Sequence, residues 1–330
     1  MSTVADTTLD ARAESARRWA MRVAQVDEGH FMPASADASF RRYFRLRSHG
    51  ASWIVMDAPP AQENCGPFLH VADLMREAGL NVPTILGQDP EQGFLLMSDL
   101  GRDLYLKVLN KANCDALFGD AIRALVAWQV ASSPRKLPNY GPELLQRELQ
   151  LFDDWYVQRE LGQQWSAAQR RLWELHCERL IQAAGAQLQV YVHRDYMPRN
   201  LMVCDQNPGV LDFQDAVIGP YAYDLLSLFK DAFISWPQQQ VNGWIADYGR
   251  AARAAGLAIP EDDAQLRVDV DWIGVQRHLK VLGIFARLKH RDGKPQYLDD
   301  APRFLSYLHE VLPSYPQLRD LQTLIPADHG

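Results

Sequence analysis

The chain has 330 residues, of which 47% are hydrophobic and 23% are charged, and its formal net charge is −7. This composition is typical of a soluble globular protein with one large or two medium domains. The negative charge, without any run of Lys or Arg, argues against a nucleic-acid-binding protein. No apolar stretch is long enough to cross a bilayer, and the first residues lack the plan of a signal peptide. We therefore expect a cytoplasmic protein that binds neither nucleic acid nor a membrane. We also expect a monomer, although no feature of the sequence determines the oligomeric state.

The first hundred residues alternate between helical and strand-like patterns. Residues 10–25 carry an apolar stripe at helical spacing, and residues 68–78 do so again before a closing Gly79. Short runs of aromatic and aliphatic residues, bounded by Gly, Ser or Pro, predict strands at 40–47, 53–56, 82–86 and 93–97. This order predicts a small domain that mixes helices with a sheet.

Residues 98–101 form a polar connector, and the chain beyond it is mostly helical by its period. The predicted helices cover residues 103–109, 114–131, 142–160, 166–185, 224–235, 238–255, 262–289 and 301–312. We therefore expect an α+β fold of two lobes. A small mixed lobe with an antiparallel sheet would cover residues 1–98, and a large, mainly helical lobe would cover residues 99–330.

The most distinctive stretch lies at 191–213, where two short apolar runs flank a polar loop. Its polar residues follow the pattern H-x-D-x-x-x-x-N, with His193, Asp195 and Asn200, and a D-F pair begins at Asp212. The flanking runs and the turn residues predict a hairpin with a loop at its base. The pattern is typical of phosphoryl transfer, in which an Asp orients the attacking hydroxyl while an Asn and a second Asp hold Mg²⁺ against the nucleotide phosphates.

Three segments carry a resemblance to a known superfamily: HRDYMPRN at 193–200, LDFQDA at 211–216 and GPYAYDLLSL at 219–228. Together with the two-lobed plan, they resemble the aminoglycoside phosphotransferase and choline kinase branch of the protein-kinase fold, over nearly the whole chain. Four further segments are similar to the anomeric kinases of cell-wall amino sugars, which phosphorylate the C1 hydroxyl of N-acetylmuramate and N-acetylglucosamine during peptidoglycan recycling. These are DASFRRYFRL (37–46), WIVMDAPP (53–60), LLMSDLG (95–101) and RHLKVLGIFARLKHRDGKPQYL (277–298).

The resemblance implies a role for each residue of the central motif. Asp195 would be the catalytic base, and Asn200 and Asp212 would be the magnesium ligands beside ATP. His193 would pack under the loop rather than react. Asp224 would support the loop by accepting hydrogen bonds from its backbone.

The resemblance also implies a nucleotide site in the small lobe. Residues 97–101 would form the hinge that meets the adenine, with Met97 and Asp99 among the nucleotide-binding residues. Residues 34–40 occupy the place of the turn that covers the phosphates, and Ser39 would offer its hydroxyl or its backbone amide. This turn has no glycine, whereas protein kinases use several there, so its backbone can approach the phosphates less freely.

A second departure concerns the strand lysine that usually binds the α- and β-phosphates, because Asp57 stands near its place. A neighbouring arginine would have to substitute, since guanidinium binds phosphate well. Strand alternation puts Arg42, Phe44 and Leu46 on one face, and Arg41 and Arg45 on the other. If the more apolar face covers the nucleotide, Arg42 is the phosphate contact. The alternative is that these arginines form a solvated strand face.

Candidate acceptor-binding residues lie in or next to the central motif and on two predicted helices. Arg199 would touch the γ-phosphate or a sugar carboxylate, and Gln214 and Asp215 would contact the substrate or cap a turn. Trp155 could stack on a sugar ring or simply join the core. Three basic residues of a long predicted helix could receive the carboxylate of N-acetylmuramate or decorate a solvated face, namely Arg277, His278 and Lys280.

The function that we expect is therefore an ATP- and Mg²⁺-dependent sugar kinase with a small-molecule acceptor. Two alternatives stay open. One is a kinase of another small hydroxyl compound, such as an aminoglycoside, choline or homoserine. The other is a non-catalytic pseudokinase, which the missing lysine would suggest, although the motif keeps Asp195, Asn200 and Asp212.

Overall fold

The computed structural model describes residues 9–36 and 40–327, with the backbone alone at residues 35 and 36. The chain divides into two compact units. The first contains residues 1–103 and 202–215, and the second contains residues 104–201 and 216–330. The first boundary lies close to the expected division between residues 98 and 99. The structure differs by assigning residues 202–215 to the first unit.

The first unit is built on a five-stranded antiparallel sheet with the order β1-β2-β3-β5-β4. Its elements are α1 (Ala11–Ala24), β1 (His30–Ala36), β2 (Arg42–Ser48), β3 (Ala51–Asp57), α2 (Cys65–Glu77), β4 (Ile85–Asp89) and β5 (Phe94–Ser98). Strand β1 is absent from the sequence prediction. It contains Pro33, and a proline argues against a strand because it has no backbone N–H to donate. Proline is nevertheless tolerated on the outer strand of a sheet, which is the position of β1.

One face of this sheet is covered by α1. The helix begins at its cap Asp10, whose carboxylate accepts a hydrogen bond of 2.7 Å from the Ala13 amide. The apolar stripe of α1 then packs against Phe44 and Leu46 of β2 and against the neighbouring strands. The core under this face consists of Ala13, Ala16, Trp19, Ala20, Phe44, Leu46, Val55, Phe94 and Leu96.

Residues 202–215 join the first unit through backbone pairing and one aromatic contact. Strands β7 (Leu201–Met202) and β8 (Gly209–Val210) form a two-stranded ladder. The Val210 amide donates to the Asn81 carbonyl at 2.8 Å, and the Val203 amide donates to the Asp103 carbonyl at 2.8 Å. The ring of Phe213, which follows Asp212, lies 4.7 Å from the ring of Phe68 on α2. The D-F pair is thereby fixed to the first unit.

The second unit is mainly helical. Its helices are α3 (Tyr105–Val108), α4 (Cys114–Val130), α5 (Pro142–Leu151), α6 (Ala167–Ala186), α7 (Tyr223–Phe229), α8 (Gln238–Ala254), α9 (Asp263–Asp292) and α10 (Ala301–Val311). Strands β6 (Gln189–Val192) and β9 (Val217–Pro220) pair antiparallel. No helix in the described part of the chain is long and apolar enough to span a membrane.

Two details of the second unit differ from the predicted helices. The expected helix at 142–160 is α-helical only to Leu151 and continues as a π-helix, Phe152–Glu160. At this junction the backbone of α5 meets Gly283 of α9 so closely that a Cβ there would lie 2.3 Å from the Leu151 carbonyl carbon. The expected helix at 224–235 ends at Phe229, and residues 230–237 form a loop.

Candidate active site

The catalytic loop predicted from the sequence is held together by its own hydrogen bonds. The Asn200 side-chain amide donates to the Asp195 carbonyl at 2.9 Å, and the Met197 amide donates to the same carbonyl at 2.9 Å. Asn200 is buried in a short 3₁₀ turn, Pro198–Asn200. Because its NH₂ group is the donor, its amide oxygen is the atom with the character of a magnesium ligand.

Asp224, in the first turn of α7, supports this loop by binding its backbone amides. Its carboxylate accepts the His193 amide at 2.7 Å and the Arg194 amide at 3.0 Å. Arg194 has a left-handed backbone with φ of 76°, which is costly for a non-glycine residue and persists only under such support. Complete burial raises the pKa of Asp224 to about 6. The supporting role expected for Asp224 is confirmed.

His193 also takes the structural place expected of it. Its side chain is fully buried, and its ring lies 5.7 Å from the ring of Tyr196. The Asp195 amide donates to its Nδ1 at 3.3 Å. The imidazole is therefore part of the packing under the loop.

A buried ionic network lies directly against the catalytic loop, and sequence reasoning did not find it. Glu148 of α5 is at its centre, with Oε1 2.5 Å from Arg194 Nη2 and 2.9 Å from Lys280 Nζ. Tyr140 donates its hydroxyl to Oε2 of the same carboxylate, and Lys280 Nζ also donates to the Tyr223 hydroxyl at 3.0 Å. We call Tyr140, Glu148, Arg194, Tyr223 and Lys280 the Glu148 network.

The charges of this network stabilise one another against burial. Burial alone would raise the pKa of Glu148, but Lys280 and Arg194 lower it below its ordinary value. Burial alone would lower the pKa of Lys280, but Tyr223, Glu148 and Asp195 raise it. The network thus keeps a protonated lysine within the electrostatic reach of the Asp195 carboxylate.

Asp212 and its neighbours form a compact polar turn in the first unit. Asp212 has a left-handed backbone with φ of 61°. Gln214 Nε2 donates to Asp212 Oδ1 at 3.0 Å and to Asp215 Oδ2 at 3.3 Å. Gln214 therefore orients the predicted metal-binding carboxylate, while Asp215 is exposed. Contact of either residue with an acceptor stays a prediction.

The predicted hinge residues differ in what their side chains do. Met97 is buried in β5, where its backbone pairs with Ile54 and Ile85. The Asp99 carboxylate holds Arg45 at 2.6 and 2.9 Å and accepts the Gly101 amide at 3.0 Å. Burial opposes ionisation of Asp99, but these hydrogen bonds outweigh it and lower its pKa. The side chain of Asp99 thus shapes the hinge, and nucleotide contact by the hinge stays a prediction.

The structure corrects the reasoning that chose Arg42 as the phosphate contact. The face that carries Phe44 and Leu46 is covered by α1, so its apolar character reflects helix packing rather than a nucleotide. The Arg42 guanidinium binds the fully buried Asp57 at 2.6 and 3.0 Å and also contacts Asp10. The assumption that the apolar face covers the nucleotide is therefore wrong.

Arg45 lies on the other face of β2, and Arg41 directly precedes the strand. Arg45 is committed to Asp99, and Arg41 Nε lies 3.5 Å from Glu63 Oε2. The side chains of Arg41 and Glu63 are only 13% and 18% exposed, so this pair is no solvated surface contact. Ser39, the other predicted phosphate ligand, lies outside the described residues.

The predicted acceptor residues of the second unit separate into two groups. Arg199 is exposed on the catalytic loop, with its guanidinium carbon 5.3 Å from the centre of the Phe233 ring. Trp155, on the π-helix, packs partly buried against the main hydrophobic core, as its alternative interpretation expects. Substrate contact by Arg199 or Trp155 stays a prediction.

The basic residues at 277–280 of the long helix α9 are buried, which decides against one of the two expectations for them. Arg277, His278 and Lys280 are only 4%, 2% and 8% exposed, so the interpretation as a solvated face is wrong. The sequence signal for burial was present, since these positions continue the apolar period of α9 with Ile273 and Leu279. Long basic side chains on such a face call for buried partners.

Known proteins share much of this sequence. The model of the phosphotransferase enzyme family matches residues 30–264. The chain is 52% identical over 301 residues to a protein of Pseudomonas putida named N-acetylmuramate/N-acetylglucosamine kinase, covering 91% of this chain and 89% of that one. It is 45% identical over 297 residues to a Neisseria meningitidis protein of the same name, covering 88% of each chain.

Solved structures share the fold at low sequence identity. Choline kinase LicA from Streptococcus pneumoniae matches with a TM-score of 0.63 and 12% identity, over 90% of this chain and 99% of that one. A gentamicin complex of an aminoglycoside phosphotransferase matches with a TM-score of 0.61 and 14% identity, over 91% and 97% of the two chains. The expected α+β, protein-kinase-like fold is therefore confirmed. Because the family model covers more than half of its length, the chain belongs to the phosphotransferase enzyme family.

Proposed function

We propose that the protein is an ATP-dependent sugar kinase that phosphorylates the anomeric hydroxyl of N-acetylmuramate and N-acetylglucosamine in peptidoglycan recycling. The observation that carries this proposal is the catalytic loop, in which Asn200 and Asp224 hold the backbone around Asp195. The relatives that are 45% and 52% identical over most of the chain support the choice of acceptor.

In this proposal Asp195 orients the acceptor hydroxyl and accepts its proton as the γ-phosphoryl group is transferred. The amide oxygen of Asn200 and the carboxylate of Asp212 would hold magnesium, which prefers such oxygen donors. The ion, when bound, neutralises charge on the phosphates. The Glu148 network fixes Arg194 beside Asp195 and thereby limits the motion of the reacting carboxylate.

A panel of acceptors tests the proposal. We expect ADP release from ATP and Mg²⁺ with N-acetylmuramate and N-acetylglucosamine, and none with choline, homoserine or an aminoglycoside. The methyl glycoside of N-acetylglucosamine is the matched control, because it lacks only the free anomeric hydroxyl. Undiminished ADP release with this glycoside would assign the reaction to another hydroxyl, and release with choline alone would support the alternative kinase.

Asp212→Asn is expected to remove most of the magnesium dependence of nucleotide binding. The amide is a much weaker magnesium ligand than the carboxylate, while Asn tolerates the left-handed backbone at this position. Calorimetric titration of ADP with and without Mg²⁺ measures the effect. Asp205→Asn, an exposed carboxylate of the same unit, is the control. If the variant keeps the magnesium dependence of the parent, Asp212 is no metal ligand.

We propose that Arg41 takes over the phosphate-binding role of the missing strand lysine. Its pairing with Glu63, just before α2, resembles the lysine–glutamate ion pair of protein kinases. Arg41→Ala is expected to raise the KM for ATP by about tenfold, the usual order for a hydrogen bond to a charged group. Arg42→Ala is expected to lower thermal stability instead, because Asp57 loses one of its two arginine partners.

Parallel ATP kinetics and melting curves on these two variants separate the roles. A large KM effect of Arg42→Ala with little effect of Arg41→Ala would reverse the assignment.

A further inference from the structure

A second group of buried polar residues lies where the loop after α7 meets α9 and α10. Asp231, Arg277 and His278 are 1%, 4% and 2% exposed. Arg303 of α10 donates to the hydroxyl of Ser235, which in turn lies 2.9 Å from the Tyr307 hydroxyl. We call Asp231, Ser235, Arg277, His278, Arg303 and Tyr307 the α9–α10 cluster.

Several polar atoms of this cluster are buried without a hydrogen-bond partner among the described residues. They are Asp231 Oδ2, Arg277 Nη1, His278 Nδ1 and Arg303 Nε. Such atoms are rare in folded proteins, because each one costs free energy unless it gains a partner. Four of them in one cluster leave donors and acceptors there for a polar ligand or for water.

The charge of the cluster favours an anion. Two guanidinium groups, Arg277 and Arg303, lie near the buried carboxyl group of Asp231, whose Oδ1 accepts the amides of Phe233 and Ile234. Arg303 also lies near the partly buried Asp300. Burial raises the pKa of Asp231 to about 6, so this carboxyl group is still mostly ionised at neutral pH. Burial and the nearby Arg277 and Lys230 lower the pKa of His278, so the imidazole stays neutral. Lys230 is offset by Glu310 at 3.8 Å.

The cluster is close to the catalytic loop within the same unit. Arg199 of that loop lies over Phe233, whose amide is held by Asp231. On α9, Arg277 precedes Lys280 by three residues, which is a rise of about 4.5 Å. Lys280 is within the electrostatic reach of Asp195. These connections place the cluster near the loop at which an acceptor would meet Asp195.

We propose that Arg277 and Arg303 bind the carboxylate that distinguishes N-acetylmuramate from N-acetylglucosamine. N-acetylmuramate carries a lactyl ether with a carboxylate, and this group offers two acceptors to guanidinium donors. This subsite rests on the proposed function, since it assumes that the amino sugar is the acceptor. It makes the two arginines specificity residues that act on one of the two acceptors.

The test compares the two acceptors on Arg277→Gln and Arg303→Gln. The ratio of KM for N-acetylmuramate to KM for N-acetylglucosamine is expected to rise about tenfold or more in each variant, with kcat changed much less. Arg267→Gln, an exposed arginine on the same helix, is the matched control and should leave the ratio unchanged. A purely structural role would change both KM values alike and would overturn the proposal.

Direct binding separates this subsite from the proposed function. Calorimetry on the parent protein should show tighter binding of N-acetylmuramate than of N-acetylglucosamine, with the difference lost in Arg303→Gln. Arg303 is only half buried, so this variant is expected to fold even if Arg277→Gln does not. Absence of phosphorylation with a preserved binding difference would refute the kinase activity alone, whereas equal binding of the two sugars would refute the subsite.

Discussion

Asp195→Asn is expected to lower turnover by about 10²–10⁴, the usual range for the loss of a positioned general base. The loop should keep its shape, because Asn200 and Met197 hold the backbone carbonyl of Asp195 rather than its carboxylate. ATP binding and the melting temperature are therefore expected to stay near those of the parent. Steady-state ADP release with N-acetylglucosamine gives kcat, and nucleotide titration gives the binding constant.

The control for this substitution is Asp247→Asn, which removes an exposed carboxylate from α8 of the same unit. It should leave kcat unchanged. A kcat of Asp195→Asn within a few-fold of the parent would show that the base is elsewhere. A parallel collapse of melting temperature and kcat would show instead that the carboxylate is needed to fold the loop.

The local features of this protein were predictable because they depend on near neighbours in the chain. The predicted stripe of α1 consists of Ala16, Trp19, Ala20 and Val23, and the structure buries the first three in the core but leaves Val23 exposed. The motif at 193–200 is likewise closed by hydrogen bonds within a few residues. Periodicity predicts the buried face of a helix, and residue spacing predicts a loop that is closed by local hydrogen bonds.

The facing of β2 shows what alternation cannot supply. Alternation correctly grouped Arg42 with Phe44 and Leu46, but it does not say which layer covers that face. The covering layer is α1, whose apolar stripe packs against Phe44 and Leu46. The membership of residues 202–215 in the first unit has the same origin, since it depends on the contact of Phe213 with Phe68 on α2.

The π-helix at 152–160 and the Glu148 network depend on α9, which follows much later in the chain. The backbone of α5 packs against Gly283 at the junction, where a side chain would clash. No pattern within 142–160 predicts the π-helix. In the sequence, Glu148 is one of several carboxylates in the segment 142–160, together with Asp153 and Asp154. Its importance appears only when Lys280 and Arg194 are placed beside it.

Glu148→Gln is expected to reduce the free energy of unfolding by about 3–5 kcal/mol, the range for removing one partner of a buried ion pair. The neutral amide leaves Arg194 and Lys280 buried beside each other without their shared counter-charge. Lys280→Met should cost less, because Glu148 keeps Arg194 and the Tyr140 hydroxyl. Urea unfolding of the two variants measures both effects.

The double variant Glu148→Gln/Lys280→Met is the decisive comparison. Loss of Lys280 should relieve part of the repulsion that Glu148→Gln creates, so the double variant should be more stable than Glu148→Gln alone. Its kcat should nevertheless stay low, since Arg194 no longer has the carboxylate that fixes it next to Asp195. Strictly additive losses of stability would mean that Glu148 and Lys280 act independently. Full recovery of kcat in the double variant would show that the network contributes to folding and does not position Asp195.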